Sequence, residues 1–161
     1  MRNPKIYLDT SVISHLRQED VPEKMNDTLV LWEEIKQGRY DAYISETTIA
    51  EVMEAHEPKR SIMLDYLEQI EYTILNVNDT VKEFASKLND KGILSIKQFD
   101  DCLHIGCAVV YECNMIISWN FKHIVRVKTI NGVRYISSIL GYNDIGIYSP
   151  SMIIQGDDLD G

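Results

Sequence analysis

Two rhythms of apolar and polar positions run along this chain, and the switches between them lay out its elements. Lys5-Ile6-Tyr7-Leu8 has the character of a short buried strand that stops at Asp9. Met25, Leu29 and Trp32 then recur at helical spacing on one face, in a helix that ends near Gly38. Asp41-Ala42-Tyr43-Ile44 predicts a second strand. Ser45 follows it in capping position, because its hydroxyl can accept from an open amide in the first helical turn. The helix it starts turns Ile49, Val52 and Met53 inward, and Pro58 interrupts. Met63, Leu67 and Ile70 define the next helix, and Tyr72-Thr73-Ile74-Leu75 is a β-rich strand candidate. Asp79 opens a helix with Val81, Phe84, Ala85 and Leu88 facing in and Gly92 closing it. Phe99 to Glu112 is a helix apolar on more than one side. Met115-Ile116-Ile117-Ser118 is a fourth strand, Lys128 to Leu140 a helix, and Ile145-Gly146-Ile147-Tyr148 a last strand before Pro150.

Strands that alternate with helices imply parallel pairing. The expected fold class is therefore α/β: a three-layer α/β/α sandwich around a central parallel sheet of four to five strands. No repeat, low-complexity tract or linker divides the chain. It reads as a single domain over residues 1–150 followed by an acidic C-terminal tail, 151–161. Its 161 residues are 45% hydrophobic, enough for an ordinary core and too many for the disordered class. The short apolar run before Asp9 is no signal peptide, and Ile105 to Tyr111 falls far short of a membrane span. Three cysteines form no paired framework, so a reduced, cytoplasmic protein without membrane attachment is expected.

Charge complicates this picture. A formal net charge of −9 speaks against nucleic acid, whose partners usually gain affinity by neutralising phosphates. The charge is uneven, however: Lys122, His123, Arg126, Lys128 and Arg134 occupy a stretch with no acidic residue. That stretch suits an RNA backbone or, equally, a solvated face.

In an open parallel sheet, ligands gather outside the carboxyl ends of the strands. Asp9 stands there after the first strand and Asn120 after the fourth. Alone, Asp9 would read as a helix cap. Glu51, however, lies in the otherwise apolar Ile49-Ala50-Glu51-Val52-Met53, and Asp101 opens the apolar helix with His104 on its face three residues on. Burying three unpartnered carboxylates is very costly, and convergence on a divalent cation would offset that cost. An all-oxygen set favours Mg²⁺ or Mn²⁺ over zinc. The bland alternative is that each acid caps a helix or pairs with a surface lysine. Cys102, Cys107 and Cys113 scatter around a helix axis and make a poor zinc site, while Trp119 and Tyr111 are packing residues before they are base-stacking ones.

Four segments in order carry a resemblance: Ile6-Tyr7-Leu8-Asp9-Thr10-Ser11, Ser45 through Glu51-Val52, Asp101-Cys102-Leu103-His104, and Ile117-Ser118-Trp119-Asn120-Phe121-Lys122-His123-Ile124. Together they resemble the PIN domain family, which includes VapC-like toxins of toxin–antitoxin pairs. The resemblance implies Mg²⁺- or Mn²⁺-dependent cleavage of RNA, with Asp9, Glu51 and Asp101 as metal ligands and Asn120 as the fourth catalytic position. It also implies a homodimer and, in a toxin setting, a cognate antitoxin. Ser11 and His104 would support the ligands, and Lys122 and Arg126 would hold the RNA backbone.

Position 120 departs from the family, where many members have an acid. Asn120 brings no negative charge, though its amide oxygen can face a metal or a water, so weaker metal binding is expected. Asp100 points about 100° away from Asp101 on a helix and is a poor substitute. A second reading follows from Asn120 and the acidic charge: a non-catalytic PIN-like protein that binds RNA or protein without cutting. A phosphatase of the haloacid dehalogenase type wants a second Asp two residues after the first, where this chain has Ser11.

Overall fold

The computed structural model describes residues 2–155. Its sheet is built from β1 (Lys5–Leu8), β2 (Asp41–Ser45), β3 (Tyr72–Leu75), β4 (Met115–Ile117) and β5 (Gly146–Tyr148). The strand order is β3-β2-β1-β4-β5 and every pair is parallel. β1 is central, with Leu8 opposite Ile117 in β4 and Tyr7 opposite Tyr43 in β2. Both of its faces must therefore be apolar. Ile6, Tyr7 and Leu8 are all fully buried, and successive side chains serve opposite faces.

One face packs Ile6, Leu8, Ile44 and Ile117 under α1 (Thr10–His15), α2 (Pro22–Lys36), α3 (Glu46–Glu54) and α4 (Lys59–Glu68). The other packs Tyr7, Ile116 and Ile147 under α5 (Asp79–Asp90), α6 (Phe99–Val110) and α7 (Val127–Leu140). This is the three-layer sandwich predicted from the alternation, with five strands. Gly106 lets α6 lie close on α5, since a Cβ there would come within 3.0 Å of the Val81 carbonyl oxygen. Gly92 closes α5 with φ +70, as expected of a left-handed cap.

Several expectations need correction. Thr10–His15 is a helix of its own, too short for its periodicity to show. Met53 is half exposed, because Ile49 and Val52 already cover the buried side of α3. The packed domain continues past residue 150: α8 (Pro150–Ile153) lies on α2, and Tyr40 donates to the Ile153 carbonyl at 3.1 Å. The Gln155 amide donates to both oxygens of buried Glu34, at 3.1 and 3.2 Å. Of the acidic tail, residues 156–161 lie outside the described residues. Among the described residues no helix is long and apolar enough to cross a membrane.

Candidate active site

The chain leaves β1 for β2 on one side and β4 for β5 on the other, so β1 and β4 form the switch point of the sheet. Connections that part in opposite directions open a crevice at the carboxyl ends of those two strands. Asp9 is the first residue beyond β1, and Ser118-Trp119-Asn120 follow β4.

Asp9 is 3% exposed and held on both oxygens. Oδ1 accepts from the Ser11 hydroxyl at 2.6 Å and from the Val12 amide at 3.3 Å, and Oδ2 accepts from the Ser118 hydroxyl at 2.5 Å. The Val12 bond makes it the N-cap of α1. Cap and crevice carboxylate are thus one residue, although the two readings compete in the sequence. Burial raises its pKa, against the field of His104 and the two hydroxyls.

Glu51 comes from α3 and meets α6 through His104. Its Oε1 accepts from Thr10 Oγ1 at 2.7 Å and from His104 Nε2 at 2.6 Å. On the other side of the imidazole, Nδ1 lies 2.6 Å from the hydroxyl of Tyr7, which donates to Ser45 Oγ at 2.8 Å. Tyr7, His104 and Glu51 thus form one buried hydrogen-bonded chain, with Nε2 donating to the glutamate. Burial alone would lower the His104 pKa, but the hydrogen bond to Glu51 and the charges of Asp9, Glu51 and Asp101 raise it. The partner responds in the matching direction: burial pushes Glu51 up, and His104 and Thr10 together bring it below its ordinary value.

Asp101 projects from the first turn of α6 and is only partly buried. Its pKa is pushed up to about 6, first by burial and then by the like charges of Asp9, Glu51 and Asp100, with His104 pulling the other way. Asp100 itself is exposed, as its angle on the helix predicts. Three acids from separate parts of the chain thus feel one another across the crevice.

Asn120 corrects the expectation of an amide oxygen facing a metal. Its Oδ1 accepts from the His123 amide at 2.9 Å, which leaves Nδ2 as the atom 3.4 Å from Asp101 Oδ2. The side chain closes the loop after β4 and offers Asp101 a donor. The Arg126 guanidinium donates to Thr129 Oγ1 at 3.0 Å and to the Ile93 carbonyl at 3.2 Å, anchoring the start of α7, and remains partly exposed. Lys122 is exposed in the same loop. Ser11 bridges the strand ends, donating to Asp9 and accepting from the Trp119 amide at 2.9 Å. Tyr111 donates to the Asn76 carbonyl at 2.8 Å and packs against the core.

Ser118 and Tyr7 have no place in the site as read from the sequence. A Ser after a strand and a Tyr within one carry no signal of their own; only the paired register of Leu8 with Ile117 brings Ser118 to Asp9. Among the described residues, no three Asp, Glu, His or Cys side chains are gathered at metal-holding distance. Each carboxylate has instead a hydroxyl, imidazole or amide of its own.

No family model matches the chain, and no curated protein does. Among solved structures it is similar to VapBC2 from Rickettsia felis bound to a DNA fragment from the promoter. The two share 14% identity at a TM-score of 0.55, over 90% of this chain and 98% of that one. At that identity the likeness speaks for the fold, a PIN-like three-layer sandwich.

Proposed function

We propose that this protein is a divalent-cation-dependent ribonuclease in which Asp9, Glu51 and Asp101 hold Mg²⁺ or Mn²⁺. The observation that carries this reading is the convergence of Asp9, Glu51 and Asp101 from β1, α3 and α6 on the switch-point crevice, where burial and the like charges of Asp9, Glu51 and Asp100 raise the pKa of Asp101. Repulsion of this kind is relieved by a hard cation bound through oxygens. The three carboxylates are not gathered at metal-holding distance, so binding would need Glu51 and Asp101, both on helices and both partly exposed, to turn toward Asp9. When bound, such a cation supplies Lewis acidity, making water a better nucleophile and offsetting charge on the phosphoryl and leaving oxygens.

The chain's own groups do the rest. Ser11 and Ser118 fix the Asp9 carboxylate, while Thr10 and His104 fix Glu51. Asn120 Nδ2 donates to Asp101 Oδ2 at 3.4 Å. Asp101 and Glu51 are the two carboxylates that would accept the proton of the attacking water. The likeness to VapBC2 extends the proposal to the toxin of a toxin–antitoxin pair with a cognate antitoxin. Cleavage of a mixed RNA pool in Mg²⁺ or Mn²⁺ but not in chelator tests the reading. A wild type that cuts no RNA overturns it in favour of the non-catalytic binding protein.

Two results are expected on the way. Asp101 has a folded-state pKa of about 6, above its ordinary 3.8. Within that window the folded state binds more protons than the unfolded one, so stability falls as pH rises. His104, raised above 6.5, contributes stability that is complete below that value and is lost as pH rises through its folded pKa. A cation must displace the Asp101 proton, so calorimetric Mn²⁺ affinity should grow about tenfold between about pH 5 and about pH 7.5. A flat profile would remove Asp101 from the site. Second, Asn120→Asp keeps an acceptor for the His123 amide but sets a carboxylate against Asp101. In chelator its Tm should fall by about 3 °C, and Mn²⁺ should raise it by more than it raises wild type.

A further inference from the structure

Tyr7 lies fully buried in the central strand β1, where both faces of the sheet ask only for apolar bulk. A phenylalanine would pack there equally well, so the hydroxyl is a polar group whose burial its neighbours must offset. It lies 2.6 Å from His104 Nδ1, 2.8 Å from Ser45 Oγ and 3.3 Å from Thr48 Oγ1. Ser45 and Thr48 form the capping box of α3. There Ser45 Oγ accepts from the Thr47 amide at 3.1 Å, and Thr48 Oγ1 accepts from the Ser45 amide at 3.2 Å. Both hydroxyls therefore keep a partner without the phenol. Nδ1 does not: the Tyr7 hydroxyl is its only hydrogen-bond partner among the described residues. What Tyr7 holds in place is the imidazole.

The imidazole in turn holds Glu51, and by a single atom. His104 Nε2 and Thr10 Oγ1 both donate to Oε1, at 2.6 and 2.7 Å, while Oε2 has no hydrogen-bond partner among the described residues. The two donors are tied to the other two acids. Thr10 follows Asp9 in the chain at the start of α1, and His104 stands one turn along α6 from Asp101 on the same face. The charges of Asp9, Glu51 and Asp101 all act on the His104 ring. Thr48 and Glu51 are likewise three residues apart on α3. Tyr7 thus secures the start of α3 directly and its acid through His104, in a closed loop of hydrogen bonds. Turning about Oε1 brings Oε2 round without breaking either bond.

A carboxylate anchored in this way has one oxygen to give. Ca²⁺ readily takes both oxygens of a carboxylate in a flexible shell of roughly six to eight, whereas Mg²⁺ demands a near-ideal octahedron. Mn²⁺ belongs with the octahedral oxygen sites too. Resting on the proposed ribonuclease reading, we propose that Tyr7, His104 and Thr10 are positioning residues that hold Glu51 by Oε1, leave Oε2 alone for the cation, and so make the site select Mg²⁺ or Mn²⁺ over Ca²⁺.

Calorimetric titration with Mn²⁺ and with Ca²⁺, in the absence of RNA, tests this on wild type, Tyr7→Phe, Thr10→Val and the double variant. Tyr7→Phe removes only a hydroxyl and Thr10→Val exchanges one for a methyl, so both keep the packing, and a cooperative thermal transition checks each. Wild type should bind Mn²⁺ at least about tenfold more tightly than Ca²⁺. Each single variant should lower that ratio about threefold and the double about tenfold, because a freed Glu51 can give Ca²⁺ both oxygens. A merely structural role would weaken both cations alike and leave the ratio unmoved. In a His104→Gln background, Tyr7→Phe should change the ratio by less than about 1.5-fold, since its route to Glu51 is gone. A wild type that takes Ca²⁺ as tightly as Mn²⁺, or an unmoved ratio in Tyr7→Phe and Thr10→Val, overturns the clamp and leaves the carboxylate-held cation standing. A wild type that binds neither cation removes the ribonuclease reading and the clamp together.

Discussion

Replacing Asp9 or Asp101 by asparagine is expected to lower cation-dependent RNA cleavage by about a thousandfold without unfolding the protein. Asparagine matches aspartate in shape and removes only the charge that a cation needs. At position 9 the amide can still cap α1 by accepting from Val12, and its NH₂ can donate to Ser11 or Ser118, whose hydroxyls are free to rotate. At position 101 stability should rise. The ionised carboxylate is disfavoured at neutral pH by burial and by Asp9, Glu51 and Asp100. Removing that charge should gain roughly 1 kcal/mol after allowance for the partial exposure of Asp101. Rate and Tm measured on the same preparations therefore move in opposite directions for Asp101→Asn. A variant that lost activity and stability together would mark Asp101 as structural.

His104→Leu should be the most damaging single change to stability, at roughly 3 kcal/mol in urea unfolding at neutral pH. The leucine fills much of the space but takes away both ring nitrogens. Tyr7 loses its 2.6 Å partner in a fully buried position, and Glu51 loses the donor that holds its pKa down. Asp9 and Asp101 lose the imidazole whose field lowers theirs. Mn²⁺ should recover part of the deficit by taking over that neutralising role. A loss below about 1 kcal/mol would mean that His104 is neutral and peripheral to the carboxylates.

The sheet was legible because its strands are short apolar runs ending at polar residues, so that Asp9 and Asn120 could be assigned to strand ends from the sequence alone. The three acids were legible for a related reason: a carboxylate in an apolar helical face, as at Glu51, stands out against its neighbours. Other features depend on partners far away in sequence. The orientation of the Asn120 amide is decided by the His123 N–H, and the fate of the Arg126 guanidinium by the Ile93 carbonyl. Tyr7 reads as one more apolar strand residue, yet its hydroxyl links His104 to Ser45 inside the core. Ser118 gains its role only from parallel register with β1. Trp119 and Phe121 are adjacent aromatics with nothing in their identities to say that the first is buried and the second exposed.

The most direct measurement is single-turnover cleavage of an end-labelled mixed RNA pool by wild type and Asp101→Asn, each in Mn²⁺, in Mg²⁺ and in chelator. Cutting by wild type that requires the cation and disappears in Asp101→Asn is the predicted result. Cutting that persists in chelator, or that survives the substitution, would contradict a carboxylate-held cation at the β1–β4 crevice.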